Sequence, residues 1–139
     1  MSKPSLGRRL TTLAAAFSAA GGLAFATGGT ALAANQDGRL EANEFGLYYS
    51  AGRTGCVHDS FTDDRTLDNN EFKGSCTGTG DEVEDNTESY WNRSLLQWCV
   101  YTNTDWGGSY GALPAGHIGN ASSTFKNKIS SHHWGRCGS

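Results

Sequence analysis

The sequence contains few of the residues and motifs that mark helical proteins or enzymes. Only two prolines stand against 19 glycines, and no stretch after residue 33 has a convincing amphipathic helical period. Short strands joined by tight turns are therefore expected. The His-Glu-x-x-His, Gly-x-Ser-x-Gly and phosphate-loop motifs of common enzyme classes are also missing. These absences predict an all-β protein that is not an enzyme.

Long apolar stretches are missing too, apart from a modest one near the start. Residues 13–26 are mostly apolar, but serine and glycine interrupt them, and they fall short of the roughly 20 residues that a membrane span needs. Basic residues precede this stretch, and Ala31-Leu32-Ala33 follows it as an A-x-A cleavage site. We expect residues 1–33 to be a cleaved signal peptide. This predicts a secreted, extracellular protein, residues 34–139, with no membrane attachment.

Positive charge is scarce in the secreted part. All 14 acidic residues lie there with 8 of the 11 basic ones, so its formal net charge is 8 − 14 = −6. Nucleic-acid binding requires a basic face for the phosphates. The charge therefore argues against a nucleic-acid partner.

One aromatic motif with its glycine occurs twice. The spacing Tyr101-x4-Trp106-x-Gly108 follows a strand pattern and predicts a hairpin that folds back over its sheet, with rings covering the fold and a glycine taking positive φ. Tyr48 and Gly55 repeat this spacing upstream, with arginine in place of the tryptophan. Two such copies predict two four-stranded halves packed together.

Each copy ends in a polar closing segment. The sequence sets Asn86 and Ser89 of the first copy against Asn127 and Ser130 of the second. Together with Asp85, these side chains offer oxygen ligands that suit calcium, although lysines flank the second segment. The same oxygens could instead cap the turns. No resident cofactor is expected, and calcium is the one ion for which we find a ligand set.

Two other groups of side chains could carry chemistry. The neighbours His132 and His133 lie in a strand pattern, where they would point to opposite faces and could not hold one ion, so we expect surface or edge histidines. The acid pair Asp63-Asp64 could serve a glycosidase, but solvated loop acids are the simpler expectation. The acidic segment around this pair, residues 59–85, should be held in place by apolar side chains beneath it: Val57, Phe61, Leu67 and Phe72.

The four cysteines predict disulfide bonds. An even number in a secreted chain is typical of a disulfide framework, and no Cys-x2-Cys spacing suggests a zinc finger. Four cysteines allow three pairings. Pairing neighbours in sequence, Cys56 with Cys76 and Cys99 with Cys137, gives one bridge to each half, and we expect this arrangement.

The motifs together resemble the βγ-crystallin Greek key. Within that superfamily the chain is similar to the streptomycete-type metalloproteinase inhibitor family. The matching stretches are EFGLYYSAGRTG at 44–55, DNTESYWNR at 85–93, VYTNTDWGG at 100–108, LPAG at 113–116 and FKNKISS at 125–131. The resemblance implies a βγ-crystallin-like sandwich of two Greek keys, the first at about 44–93 and the second at about 97–134.

The same resemblance implies a monomeric protein inhibitor of secreted zinc endopeptidases. A stiff loop would enter the protease cleft as a substrate does and leave slowly. Such enzymes generally favour a bulky apolar residue just after the bond they address. The Cys99-Val100 peptide bond is our first expectation for that bond, although the strand pattern also favours a buried core position for Val100. The Cys56-Val57 bond is the second.

Two other functions stay open from the sequence. The first is a crystallin-like module that does not inhibit proteases, either a calcium-binding protein or an antifungal toxin of the killer-toxin kind. The second is the acid-pair glycosidase. A protease titration separates the inhibitor from the module that does not inhibit proteases. A melting curve with and without calcium tests calcium binding.

Overall fold

The computed structural model describes residues 34–138, so the expected signal peptide lies outside the described residues. Over this range the chain forms seven strands: β1 (Phe45–Ser50), β2 (Thr54–Ser60), β3 (Ser89–Asn92), β4 (Trp98–Tyr101), β5 (Tyr110–Leu113), β6 (Ile118–Asn120) and β7 (Ser131–Trp134). Within the same residues, one 3-10 turn lies at Thr104–Trp106. The protein is all-β, as the glycine-rich, helix-poor sequence predicts.

The strands form two antiparallel sheets. One sheet has four strands in the order β2-β1-β3-β6, and the other has three in the order β5-β4-β7. The expected count of four strands in each half is therefore wrong for the second sheet, which has three. Strand β6 of the second half pairs with β3 of the first, and the segment around Asp64 of the first half forms an isolated bridge with His132 in β7. Each half thus contributes one segment that pairs with the other half's sheet.

The core lies between the two sheets. Phe45 in β1 stacks on Trp98 in β4, with 5.0 Å between ring centroids and 11° between the ring planes. Leu47, Val100 and Ile129 are buried around this pair. Burying each large apolar side chain contributes about 1.5–3 kcal/mol, so this contact between the halves is a main source of stability.

Strand β4 is buried on both faces. Because side chains alternate along a strand, Trp98 and Val100 share one face and Cys99 and Tyr101 share the other. All four side chains are buried. The end of the chain covers the second face, since Cys99 bonds Cys137 and Gly138 N donates to Tyr101 OH at 3.0 Å.

The long acidic segment between β2 and β3 is anchored from beneath. Leu67 and Phe72 are buried as expected, and Val83 is buried with them. Phe61 was expected there as well, but this expectation is wrong because its side chain is exposed just beyond the end of β2. Among the described residues, no helix is long and apolar enough to cross a membrane.

Candidate functional site

The loop that joins the two halves presents the most exposed large apolar side chain among residues 34–138. This linker loop, residues 93–97, runs from the end of β3 to the start of β4. Leu95 at its centre is 85% exposed, and Leu96 beside it is half exposed. An exposed leucine alone means little, because isolated apolar side chains are common on protein surfaces. Its importance here depends on how the loop is held.

The buried side chain of Asn92 fixes the two ends of the linker loop. Its Nδ2 atom donates to Leu96 O at 2.8 Å and to Leu113 O at 2.9 Å. Its Oδ1 atom accepts from both the backbone nitrogen and the hydroxyl of Ser94, at 3.0 and 2.7 Å. The indole Nε1 of Trp98 donates to the same hydroxyl at 2.9 Å. Hydrogen bonds to buried groups therefore hold the backbone on both sides of Leu95.

The peptide bond that we expected to face the protease, Cys99-Val100, does not lie on a loop. Both residues are buried in β4, which is the central strand of its sheet and pairs with β5 and β7. A protease cleft could not reach this bond in the folded protein, so the expectation is wrong. Its strand pattern, which also favoured a core position for Val100, was the better guide.

The second expected step, Cys56-Val57, lies in β2. Both side chains are buried, and β2 is an edge strand of the four-stranded sheet. Cys56 N donates to Thr77 O at 2.9 Å, so the long acidic segment covers part of this edge. The Cys56-Val57 peptide bond therefore lies in an edge strand that its neighbours hold in place, and not in a projecting loop.

The cysteines form the two pairs expected from the sequence. Cys56 bonds Cys76 and Cys99 bonds Cys137. The first bridge ties the long acidic segment to β2, and the second ties the chain's end to β4. Each half thus has one covalent tie to a strand, β2 in the first half and β4 in the second.

The aromatic corner of the second half contains three rings. Trp106 packs edge-on against His133 with 5.0 Å between centroids, and His133 stacks on Tyr101 at 5.3 Å. Tyr101 OH and His133 Nε2 are hydrogen-bonded at 2.8 Å. The Arg65 guanidinium lies 4.0 Å from the Trp106 ring centroid. His133, which the motif did not include, thus connects the tyrosine and the tryptophan.

The repeated glycines adopt the conformation that the motif predicts. Gly55 and Gly108 have φ of +75° and +77°. At the corner of the first half, Tyr48 is partly exposed in β1 and Arg53 has the same φ of 60° as Trp106. The two corners therefore share a backbone although their side chains differ.

The closing segments lie side by side, but their register differs from the expected one. Asp85 N donates to Ile129 O and Asn127 N donates to Thr87 O, and both donor residues have positive φ. Asp85, and not Asn86, is therefore equivalent to Asn127. The expected alignment was wrong by one residue.

The serines of the closing segments confirm this corrected register. Ser89 Oγ donates to Ser50 O and accepts from Arg53 N, at 2.6 and 2.8 Å. Ser131 Oγ makes the same two bonds, to Asn103 O and from Trp106 N. Ser89 is thus equivalent to Ser131, and its hydroxyl is committed to the backbone.

A glutamate that the sequence analysis missed lies beside Ser130. Ser130 Oγ donates to Glu84 Oε1 at 2.6 Å, while the buried Oε2 atom has no hydrogen-bond partner within the described chain. Burial raises the pKa of this carboxyl above its usual range, although the bond from Ser130 opposes the shift. At the equivalent place in the other segment, Lys126 forms an ion pair with Glu88 at 3.3 Å. The hydroxyls of Ser89 and Ser130, two of the oxygens expected to bind calcium, are thus already hydrogen-bonded within the protein, and calcium binding stays a prediction.

The histidines of β7 lie on an edge strand, as one of the two expectations had it, but both are buried, so the expectation of surface positions is wrong. They do point to opposite faces: His133 joins the aromatic corner, whereas His132 packs against Trp98 and Phe45. Burial, with a smaller effect of His58, lowers the pKa of His132 to about 3. Burial likewise lowers the pKa of His58 to about 4.

The acid pair is not arranged as a glycosidase site. Asp63 Oδ1 accepts from the backbone nitrogen of Trp134, and Asp64 accepts from Asn70 and Thr66. Both carboxylates thus accept hydrogen bonds from neighbouring segments. They hold the chain in place beside β7.

The fold and the site define a class of protein: a disulfide-bonded βγ-crystallin-like domain that presents a braced apolar loop. A solved structure titled "Evolution of the eye lens beta-gamma-crystallin domain fold" superimposes with a TM-score of 0.56 at 13% sequence identity, covering 76% of this chain and 93% of that chain. Residues 33–113 match peptidase inhibitor family I36. The chain belongs to this family, and it is an inhibitor of a protease partner and not an enzyme. No curated protein matches the chain significantly in sequence.

Proposed function

We propose that the protein is a secreted inhibitor of zinc metalloendopeptidases and that the linker loop enters their active-site cleft. The observation that carries the proposal is the 85% exposure of Leu95 on a loop whose two sides are hydrogen-bonded to Asn92. Leu95 would fill the pocket for the residue just after the scissile bond, which makes Ser94-Leu95 the bond presented. The expected leader and the two disulfides support secretion into an oxidising environment.

The physical basis of inhibition is rigidity. A flexible peptide loses conformational freedom when a cleft orders it, and that loss weakens binding. The Asn92 and Ser94 bonds order the linker loop before it docks, so little further loss follows. If the Ser94-Leu95 bond is cut, the same bonds hold both new ends in place, and the product leaves slowly.

The test is to titrate the secreted protein into a thermolysin-like protease. Inhibition at micromolar concentration or below is expected. Leu95→Ala should raise the inhibition constant about 30-fold, which corresponds to a hot-spot loss of about 2 kcal/mol. Ile118→Ala is the matched control, since Ile118 is exposed in β6 and its replacement should leave inhibition unchanged.

Mass spectrometry of the slowly cleaved complex gives the reactive bond directly. Cleavage between Ser94 and Leu95 is expected. A first cut between Cys56 and Val57 would move the inhibitory segment to β2. If the wild-type protein fails to inhibit at micromolar concentration, thermolysin-like zinc endopeptidases are not the target.

A second proposed function is calcium binding, which the unpaired carboxylate oxygen of Glu84 favours. Carboxylate and hydroxyl oxygens are ligands that calcium prefers, and Glu84 lies with Ser130 at the junction of the two closing segments. Asp85, Asn86 and Asn127 would complete the site, whereas Ser89 would not, because its hydroxyl is already used. A higher melting temperature in calcium than in chelator is expected, and identical curves would eliminate this role.

A further inference from the structure

We propose that His58, Asp64 and His132 form a binding site for a divalent first-row transition metal such as Zn²⁺. The site is independent of the linker loop and of protease inhibition. It lies where the two sheets meet, on the face of β7 that points into the core.

Three separate elements bring the ligands together. His58 belongs to β2, His132 belongs to β7, and Asp64 lies on the segment between them that crosses from one half to the other. One ligand atom from each residue lies within 4.8 Å of the other two. The backbones of Asp64 and His132 are fixed to each other by two hydrogen bonds of 2.9 and 3.0 Å.

Three of the four imidazole nitrogens in this cluster are buried and have no hydrogen-bond partner among the described residues. His58 is 3% exposed and His132 is 0% exposed. Nε2 of His58 and both ring nitrogens of His132 are buried without a hydrogen-bond partner anywhere in residues 34–138. Buried polar atoms in folded proteins are almost always paired, and one that is not calls for a ligand, a water or an ion.

The ligand types select the metal. Two neutral imidazoles and a carboxylate are the donors that bind Zn²⁺ and its neighbours, whereas Ca²⁺ and Mg²⁺ prefer oxygen alone. Asp64 is held as such ligands usually are, since Oδ2 accepts from Asn70 Nδ2 at 2.7 Å and Oδ1 accepts from Thr66 N at 3.1 Å. Metal binding would draw the ligand atoms to about 3.4 Å from one another, which small side-chain rotations can achieve.

A metal here would clamp the two sheets together. It would join β2 of the four-stranded sheet to β7 of the three-stranded sheet through a segment that otherwise pairs with β7 by a single bridge. Because the unfolded chain does not hold these three residues together, metal binding would favour the folded state.

The first test uses the secreted protein, freed of metal with a chelator and then titrated with Zn²⁺ alone. Calorimetry should give one zinc per chain, and the melting temperature should rise with zinc concentration. His58→Gln and Asp64→Asn should weaken zinc binding roughly tenfold or more. His117→Gln is the matched control, because His117 is exposed and outside the cluster, and it should bind zinc as the wild type does. An unchanged melting temperature in the wild type, or equal zinc binding by all variants, would overturn the proposal.

A second measurement needs no variant and so does not depend on whether a substituted core folds. In the NMR spectrum of the wild-type protein, the ring signals of His58 and His132 should shift on addition of zinc while those of His117 stay in place. Shifts confined to His117 or His133 would show that zinc binds elsewhere.

Discussion

The two halves of the molecule have the same corner backbone and different corner side chains. Arg53 and Trp106 share a φ of 60°, and the backbone nitrogen of each donates to a serine hydroxyl, Ser89 in one half and Ser131 in the other. At its corner, the second half adds a ring cluster in which Trp106 packs on His133. The glycine and the serine therefore suffice to shape the corner. The rings add stability to a conformation that is already specified.

Removing the disulfides should produce the largest losses of stability. The chain between Cys99 and Cys137 is longer than that between Cys56 and Cys76, with separations of 38 and 20 residues. In the chain-entropy description, the bridge across the longer loop contributes about 4 kcal/mol and the other about 3 kcal/mol. Replacing each pair by serine should lower the free energy of unfolding in that order, as measured by urea denaturation. A larger loss in the first half would mean that native contacts of the long acidic segment, and not loop closure, dominate.

Alanine substitutions at the corner glycines should show how closely each corner is packed. An added Cβ at Gly108 collides with Thr102 Oγ1, whereas at Gly55 it lies 3.1 Å from Ser50 Oγ. We expect Gly108→Ala to cost about 3 kcal/mol and Gly55→Ala about 2 kcal/mol, of which about 1 kcal/mol is the left-handed backbone in each.

Gly52 provides the control for these two glycines. Its φ is +71°, and nothing lies within 4 Å of an added Cβ. Gly52→Ala should therefore cost about 1 kcal/mol, from the backbone alone. Equal losses at all three glycines in thermal denaturation would show that packing at the corners does not matter.

The corner rings give the third comparison. Trp106→Ala removes the contacts with His133 and Arg65 and should cost about 1.5 kcal/mol, because the tryptophan is only half-buried. Arg53→Ala, at the equivalent exposed position, should change stability by less than about 0.5 kcal/mol. If Arg53→Ala proved as damaging as Trp106→Ala, the two corners would be energetically alike, and the ring cluster would not distinguish them.

The fold could be predicted from the sequence because the residues that determine it are close together in the chain. The spacing from Tyr101 to Gly108 specifies a positive φ and a covering ring within a few residues, so a hairpin could be predicted without knowing what packs on it. The exchange of segments between the halves could not be predicted, since nothing in the nearby sequence indicates that Asp64 pairs with His132. The alignment of Ser89 with Ser130 failed for the same reason: two adjacent serines offered two registers, and only the partners of their hydroxyls decide between them.

The candidate sites were harder to predict than the fold because they depend on residues that are distant in the sequence. Leu95 is an ordinary leucine in the sequence, and its role follows from Asn92, whose side chain binds both ends of the loop. The sequence offered one signal that could have been used: Asn92 and Ser94 are small polar residues that come just before an apolar pair between two strands, which is typical of a braced turn. The two Cys-Val bonds were chosen because each begins at a disulfide-bonded cysteine, but both of these cysteines lie in strands and not in loops.

The smallest predicted effect concerns the closing segments, where the halves differ by one charge. Glu84 with Ser130 leaves a carboxylate oxygen unpaired, whereas the equivalent pair is closed by the ammonium of Lys126 on Glu88 at 3.3 Å. Both side chains of this ion pair are partly exposed, so Lys126→Gln should cost no more than about 0.5 kcal/mol without calcium. With calcium, the same variant should gain more stability than the wild type does, because Glu88 becomes available to a cation. Lys128→Gln removes an equal charge from the same segment without breaking the ion pair, so an equal calcium response from it would mean that net charge alone matters.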